Sequence, residues 1–256
     1  MNGKTLKHPP LIEAIFEIKW QLQSKAPGLK QDPHYNLLIG RLYDELAGDY
    51  PIHQQLDSAL IPAEMVPGIV QHRFRKGKDE WPLVQLGPGV FTVNVTKGYT
   101  WDDFKSRVVK GVNALVKVHP DAQNLAVDSL LVRYINTIPF DFDRENIFEF
   151  LEELMHTKIA LHPPLFEAVP VERTPLGFDC RFAFRCAKPK ATVTFRFSDG
   201  TSHGKGALIW QTVVDTRSDG IPKLPSELEA WLEDAHTVAE TWFFQLIEGE
   251  LQRRFE

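Results

Sequence analysis

Three groupings of histidine, carboxylate and glycine stand at spacings that could do chemistry. His236 and Glu240 lie four apart with Glu233 nearby, which would bring all three to one side of a helix. A metal site needs a third and a fourth donor, and neither HExxH nor a comparable cluster supplies them, so the pattern reads as a solvated face with i,i+4 charges. Asp141, Asp143 and Glu145 in PFDFDRENIF alternate like a divalent-cation loop. An EF-hand would need a glycine at its sixth position and a distal glutamate, whereas Asn146 leads straight into the apolar IFEF. Asp143 is therefore expected to cap an acidic helix over 145–155. GTSHGKG at 200–206 superficially matches a phosphate loop, but its spacer is one residue short, no Ser or Thr follows Lys205, and ALIWQTVV after it reads as a strand. A hairpin loop is expected there.

The least ordinary grouping is cationic. FDCRFAFRC and ATVTFRF alternate like two strands of a hairpin, and a turn over 187–190 pairs Cys186 with Ala191, sets Arg185 opposite Thr192 and sets Arg181 opposite Arg196. Facing arginines on a solvated sheet cost stability unless something anionic joins them. Arg173, Lys188, Lys190 and Lys205 could extend the patch. The anion could be an external partner, or Glu149, Glu152 and Glu153 of the acidic helix. The candidate anion- or partner-binding residues are thus Arg181, Arg185, Arg196, Arg173 and Lys205. No catalytic residue, metal site or cofactor is read.

The elements that must position these residues follow from periodicity. Residues 12–20 alternate as a half-buried strand, and Asp32-Pro33 opens a helix through 47 with Leu37, Leu38, Leu42 and Leu46 inward. Residues 49–67, with three prolines, read as a surface connection. A meander over 69–76, 82–87 and 90–96 leads to a helix over 100–118, capped by Thr100 and Asp103. Residues 125–138, apolar on both faces, predict a central strand. Strands near 177–186, 191–197 and 207–215 precede a long helix opened by Ser226 and Glu229 and running to about 254. The fold class is α+β, with antiparallel meander sheets flanked by amphipathic helices.

At 256 residues the chain forms either two closely packed α+β halves, 1–140 and 141–256, or one domain. PPLIEA at 9–14 and PPLFEA at 163–168 each precede a meander and a helix, as two related βββα halves would. Unequal spacing, and no counterpart to the helix over 33–47, count against a duplication. The net charge of −5 argues against binding nucleic acid over the whole surface and leaves room for a local basic patch. Cys180 and Cys186 fall on one side of one strand about 20 Å apart, beyond disulfide reach, as buried free thiols in a reducing compartment. Glu13, Glu17 and Lys19 interrupt the first apolar stretch, so it is neither a signal peptide nor a membrane span. The expected location is cytoplasmic.

PPLIEAIFEIKW, VQLGPGVFTVNV with YTWDDF, LLVRYIN and HTVAETWFFQLIEGEL together resemble a sporadically distributed bacterial family of uncharacterised proteins. The resemblance brings no catalytic residues to carry across, and its patchy occurrence implies a defence, antitoxin or immunity role. The leading expectation is a binding protein with a protein partner. A nucleic-acid or anionic-ligand module using the arginine face is the alternative, and an enzyme with a dispersed site a third.

Overall fold

The structure, a computed structural model, describes residues 6–256. Strand β1 (Leu11–Trp20) is followed by the small hairpin β2 (Gln23–Ala26) and β3 (Leu29–Gln31), then by α1 (Tyr35–Leu46), β4 (Ile52–Gln55), β5 (His72–Arg75), β6 (Leu83–Gly87), β7 (Val90–Val95) and α2 (Trp101–Val118). The chain continues through β8 (Val127–Pro139), α3 (Ile147–Leu154), β9 (Asp179–Cys186), β10 (Ala191–Ser202), β11 (Lys205–Arg217), α4 (Leu228–Ile247) and α5 (Glu250–Phe255). Nine strands form one antiparallel sheet in the order β4-β5-β6-β7-β1-β8-β11-β10-β9. The order is symmetric about β1 and β8: β1 is flanked by β7, β6 and β5, and β8 by β11, β10 and β9. Each set runs strand, helix, three strands, helix, with β4 added at one edge. The protein is α+β, its helices packed on the sheet.

Alternation fixes which side the helices cover. Ala14, Phe16, Ile18 and Trp20 of β1 are buried, and register sets Phe16 against Val93 of β7 and Val132 of β8. These side chains share one core with Leu38 and Leu42 of α1, Phe104, Val108 and Val112 of α2, and Trp231 and Leu232 of α4. A second core joins Phe197, Leu208 and Trp210 to Ile147 and Leu151 of α3, Ile247 of α4 and Leu251 of α5. Helix α4 spans both cores. Gly111 lets α2 lie close on β7, since a Cβ there would come within 2.9 Å of the Phe91 ring. No helix among the described residues is long and apolar enough to cross a membrane.

Several local expectations need correction. Residues 49–67 are not only a connection: 52–55 form the edge strand β4, missed because all four of its side chains are exposed and carry no alternation. Leu37 points outward at 55% exposure, while Tyr35 takes its place in the core. Asn146 rather than Asp143 caps α3, its side chain accepting from the Phe148 amide at 3.0 Å. Ser226 does not cap α4, and the terminal helix breaks where Gly249 adopts φ 94°. The match between PPLIEA and PPLFEA marks no equivalent places, for the first enters β1 and the second an exposed 3-10 turn, Pro163–Phe166. The topological counterpart of α1 is α3, which follows β8 as α1 follows β1.

Trp231 is 5% exposed, donates from Nε1 to the buried Thr216 hydroxyl at 2.9 Å and meets Phe16 edge-on. Trp242 is only partly buried. Trp231→Ala is therefore expected to cost about 3–5 kcal/mol and Trp242→Ala less. Urea unfolding curves of the two variants, compared with wild type, check that order.

Candidate functional site

Opposite the helices the sheet presents an outer face, and most of it is polar. Lys19, Arg73, Arg75 and Arg133 reach it from the inner strands and Arg181, Arg185, Arg196, Lys205 and Arg217 from β9 to β11. The same alternation brings out Glu13, Glu17, Asp179 and Asp215. Among the described strand residues this face thus holds nine cations and four carboxylates, a net +5, whereas the chain as a whole carries −5.

The half built from β4 to β1 satisfies itself. Arg75 donates to Gln54 at 3.0 Å, and Arg73 donates to Gln85 at 2.8 Å. Gln85 donates in turn to Thr92 and to Asn94, each at 3.0 Å, and Asn94 donates to Glu13 at 2.8 Å. Thr92 and Asn94 are each only 4% exposed, so every donor in this ladder needs its acceptor. Burial, and then the charge of neighbouring Arg75, lower the Arg73 pKa.

The half from β8 to β9 is left open. The register is the one that the hairpin spacing predicts, with Arg181 opposite Arg196 and Arg185 opposite Thr192. The anion that relieves the arginine pair is neither of those expected. Asp179, in β9 itself, accepts from Arg196 Nε at 2.8 Å and from Nη2 at 2.5 Å. The hydrogen bond to Arg196 holds the Asp179 carboxyl below its ordinary range. Glu149 is bonded to Asn146 and Glu152 to Lys158, so these two acids of α3 have their partners elsewhere.

Arg181 and Arg185 remain exposed, and neither has a carboxylate within ion-pairing distance among the described residues. Beside Arg185 opens a shallow cleft of about 480 Å³, lined also by Lys190, Thr192, Asp215 and Arg217. Lys190 is held by Asp219 and Lys188 by Asp234. Lys205 shares the outer face but sits at the tip of the β10–β11 hairpin, six residues and about 20 Å along the strand from the level of Arg196. Arg173 lies in the exposed segment before β9. Hence β9 and β10 bring Arg181, Arg185 and Arg196 together and leave Arg173 and Lys205 outside the group. Residues that sequence reasoning missed are Arg217, which pairs with Asp215 at 2.9 Å, and Arg133, whose Nε is buried with no hydrogen-bond partner. Central position in β8 was legible for Arg133; the lack of a hydrogen-bond partner for its buried Nε was not.

The other groupings resolve into structure. Ser202 pairs with Lys205 across a two-residue turn in which His203 and Gly204 have φ 52° and 74°, so GTSHGKG is a tight hairpin. Among the described residues no group of three His, Cys, Asp or Glu side chains is arranged to hold a metal. Both cysteines are free thiols on the helix side of β9 and only partly buried.

His236, expected on a solvated face, is instead packed inside. Its ring stacks on Trp101 with centroids 3.8 Å apart, Nδ1 lies 3.0 Å from the Tyr134 hydroxyl and Nε2 is 3.9 Å from Glu240. Glu233 accepts from Lys105 at 2.6 Å and from Trp101. Burial pushes the His236 pKa down to about 4, against the pull of Glu233. The imidazole is thus neutral at pH 7 and tied into the α2–β8–α4 junction.

No protein-family model matches this chain, and no curated protein matches it either.

An unfolded histidine titrates near 6.5, so the unfolded chain binds more protons than the folded one between that pH and about 4. The stability that neutral His236 contributes is complete above pH 6.5 and is lost as pH falls toward 4, up to about 3 kcal/mol. His72 and His119, also lowered by burial, act in the same direction. Urea unfolding between pH 7 and pH 5 should show this loss, and His236→Gln should reduce the pH dependence without abolishing it.

Proposed function

We propose that this chain is a binding protein that docks an acidic protein partner on the open half of its outer sheet face. The observation that carries this reading is the pair Arg181 and Arg185, exposed and without carboxylate partners on a face of net +5. A protein partner suits the corner better than a nucleic acid does. Asp179, Asp215 and Asp219 are interspersed among the cations, so the corner presents a mosaic of both signs. Mosaics of this kind select a complementary protein surface, whereas a phosphate backbone needs an uninterrupted basic track. The partner's contribution is acidic side chains spaced to meet the two arginines, with the Arg185 cleft as the recess beside them.

Arginine pairs with carboxylates through a planar fork, which gives both orientation and a charge-assisted hydrogen bond. Reversing these charges therefore replaces attraction with repulsion at the same positions. Both side chains are solvated, so the fold should tolerate the change.

The test is affinity capture from host lysate with wild type and with the double variant Arg181→Glu, Arg185→Glu. Wild type should retain acidic protein in nuclease-treated lysate, and the double variant should lose at least ten-fold of it with its unfolding midpoint unchanged. Capture that disappears on nuclease treatment would transfer the site to nucleic acid. A gain is expected from Asp179→Asn, which releases the Arg196 guanidinium: binding should strengthen and become more sensitive to added salt. Unchanged affinity in that variant would remove Arg196 from the site.

A further inference from the structure

The two edges of the nine-stranded sheet are protected very differently. At one edge β4 has only four residues, follows Pro51, and its Gln54 is engaged by Arg75. Short edge strands and prolines are common guards against strand addition. At the other edge β9 runs for eight residues, and among the described residues its backbone is hydrogen-bonded on one side only, to β10. It contains neither proline nor lysine.

The side chains of this edge alternate sharply. Arg181 and Arg185 project on the outer face, while Phe182 and Phe184 project on the helix side at 37% and 49% exposure. The two phenyl rings lie 6.4 Å apart, and Trp242 of α4 meets Phe184 at 5.6 Å and Phe195 at 6.0 Å, edge-on in both cases. An aromatic shelf with unfinished packing thus lies under the same strand whose upper side carries two arginines that make no ion pair among the described residues, Arg181 feeling only the nearby charge of Asp179. A strand laid along β9 would cover both at once.

We propose that an extended segment of the partner adds to β9 as a further strand, its carboxylates alternating with apolar side chains so that the acids meet Arg181 and Arg185 and the apolar groups complete the Phe182–Phe184–Trp242 shelf. The inference rests on the reading that the partner is an acidic protein, and it specifies how that protein binds. Backbone hydrogen bonds along the free edge supply affinity, and the two alternating faces supply selectivity. In the palindromic register, charge counts against a second copy of this chain as occupant. Residues 180–186 read CRFAFRC in either direction, so antiparallel self-pairing about Ala183 would set Arg181 against Arg185 of the other copy, twice. Like charges directly opposite each other destabilise a strand pair.

The experiment compares three dye-labelled probes on the full chain by fluorescence anisotropy. One is a nonapeptide alternating Glu and Val, the second has the same composition with the glutamates in one block, and the third is a single-stranded oligonucleotide of equal charge. Amide hydrogen exchange over 179–186 is followed in parallel. The alternating peptide should bind at least ten-fold more tightly than the block peptide, slow exchange in β9 by a similar factor, and lose its advantage in the Phe182→Ser, Phe184→Ser variant. Equal binding of both peptides, still sensitive to Arg181→Glu with Arg185→Glu, would retain the acidic-partner reading and overturn strand addition. Binding of neither peptide, or tighter binding of the oligonucleotide, would overturn both. A dimer in which β9 is protected before any peptide is added would assign the edge to a second copy and overturn the proposal as well.

Discussion

The pairing of β1 with β8 is the constraint on which the remainder of the molecule depends. Among the described residues it is the only strand pair that joins the two βαβββα sets, and it holds the middle of the sheet with Phe16 against Val132 and Ile18 against Leu130. Because side chains alternate with a period of two, this one register decides the facing of every residue outward to β4 and β9. A slip by a single residue would turn Phe16 and Ile18 away from α2 and α4 and bring Glu13 and Glu17 against them. Burial of the aromatic and aliphatic set under the helices therefore stabilises the same register that places the arginines outside.

A sheet covered by helices on one side must satisfy its other side without them, and the two halves do so differently. From β4 to β1, amide and hydroxyl side chains link strand to strand in a continuous hydrogen-bonded ladder. From β8 to β9 no such ladder forms among the described residues; ion pairs Asp215–Arg217 and Asp179–Arg196 appear instead, and Arg133, Arg181 and Arg185 make no ion pair there. Solvated ion pairs fix geometry weakly. The open half is thus the part of the outer face where an added surface can still improve the electrostatics.

Much of this was legible in the sequence, for reasons that also explain what was not. The alternation at 12–20, the two-sided apolar run at 125–138 and the hairpin register of Arg181 with Arg196 are local patterns, and each corresponds to an element of the sheet. Asp179 escaped notice because it reaches Arg196 diagonally from the start of β9, an offset that pairing directly opposite residues does not reveal. The Gln85–Thr92–Asn94–Glu13 ladder draws on three strands, one of them 81 residues away in sequence. His236 shows the same limit. Its i,i+4 relation to Glu240 identified a shared helix face, but Trp101 and Tyr134, which cover the His236 ring on that face, come from α2 and β8.

Arg181 and Arg185 carry two consequences at once. An eight-residue edge strand with two exposed phenylalanines is a template for unwanted pairing, and the commonest wrong partner for any chain is its own copy. The mirror arrangement of CRFAFRC opposes arginine with arginine in the register centred on Ala183, the one that would match Phe182 with Phe184 twice. Under the proposed docking, the same two charges that oppose a copy in that register would attract an acidic strand, so exclusion and selection would arise from one pair of side chains rather than from separate devices. Lysines could repel a copy equally well. The guanidinium fork would add a directional demand on the carboxylates of the proposed strand, tying the strength of docking to the spacing of acids along it.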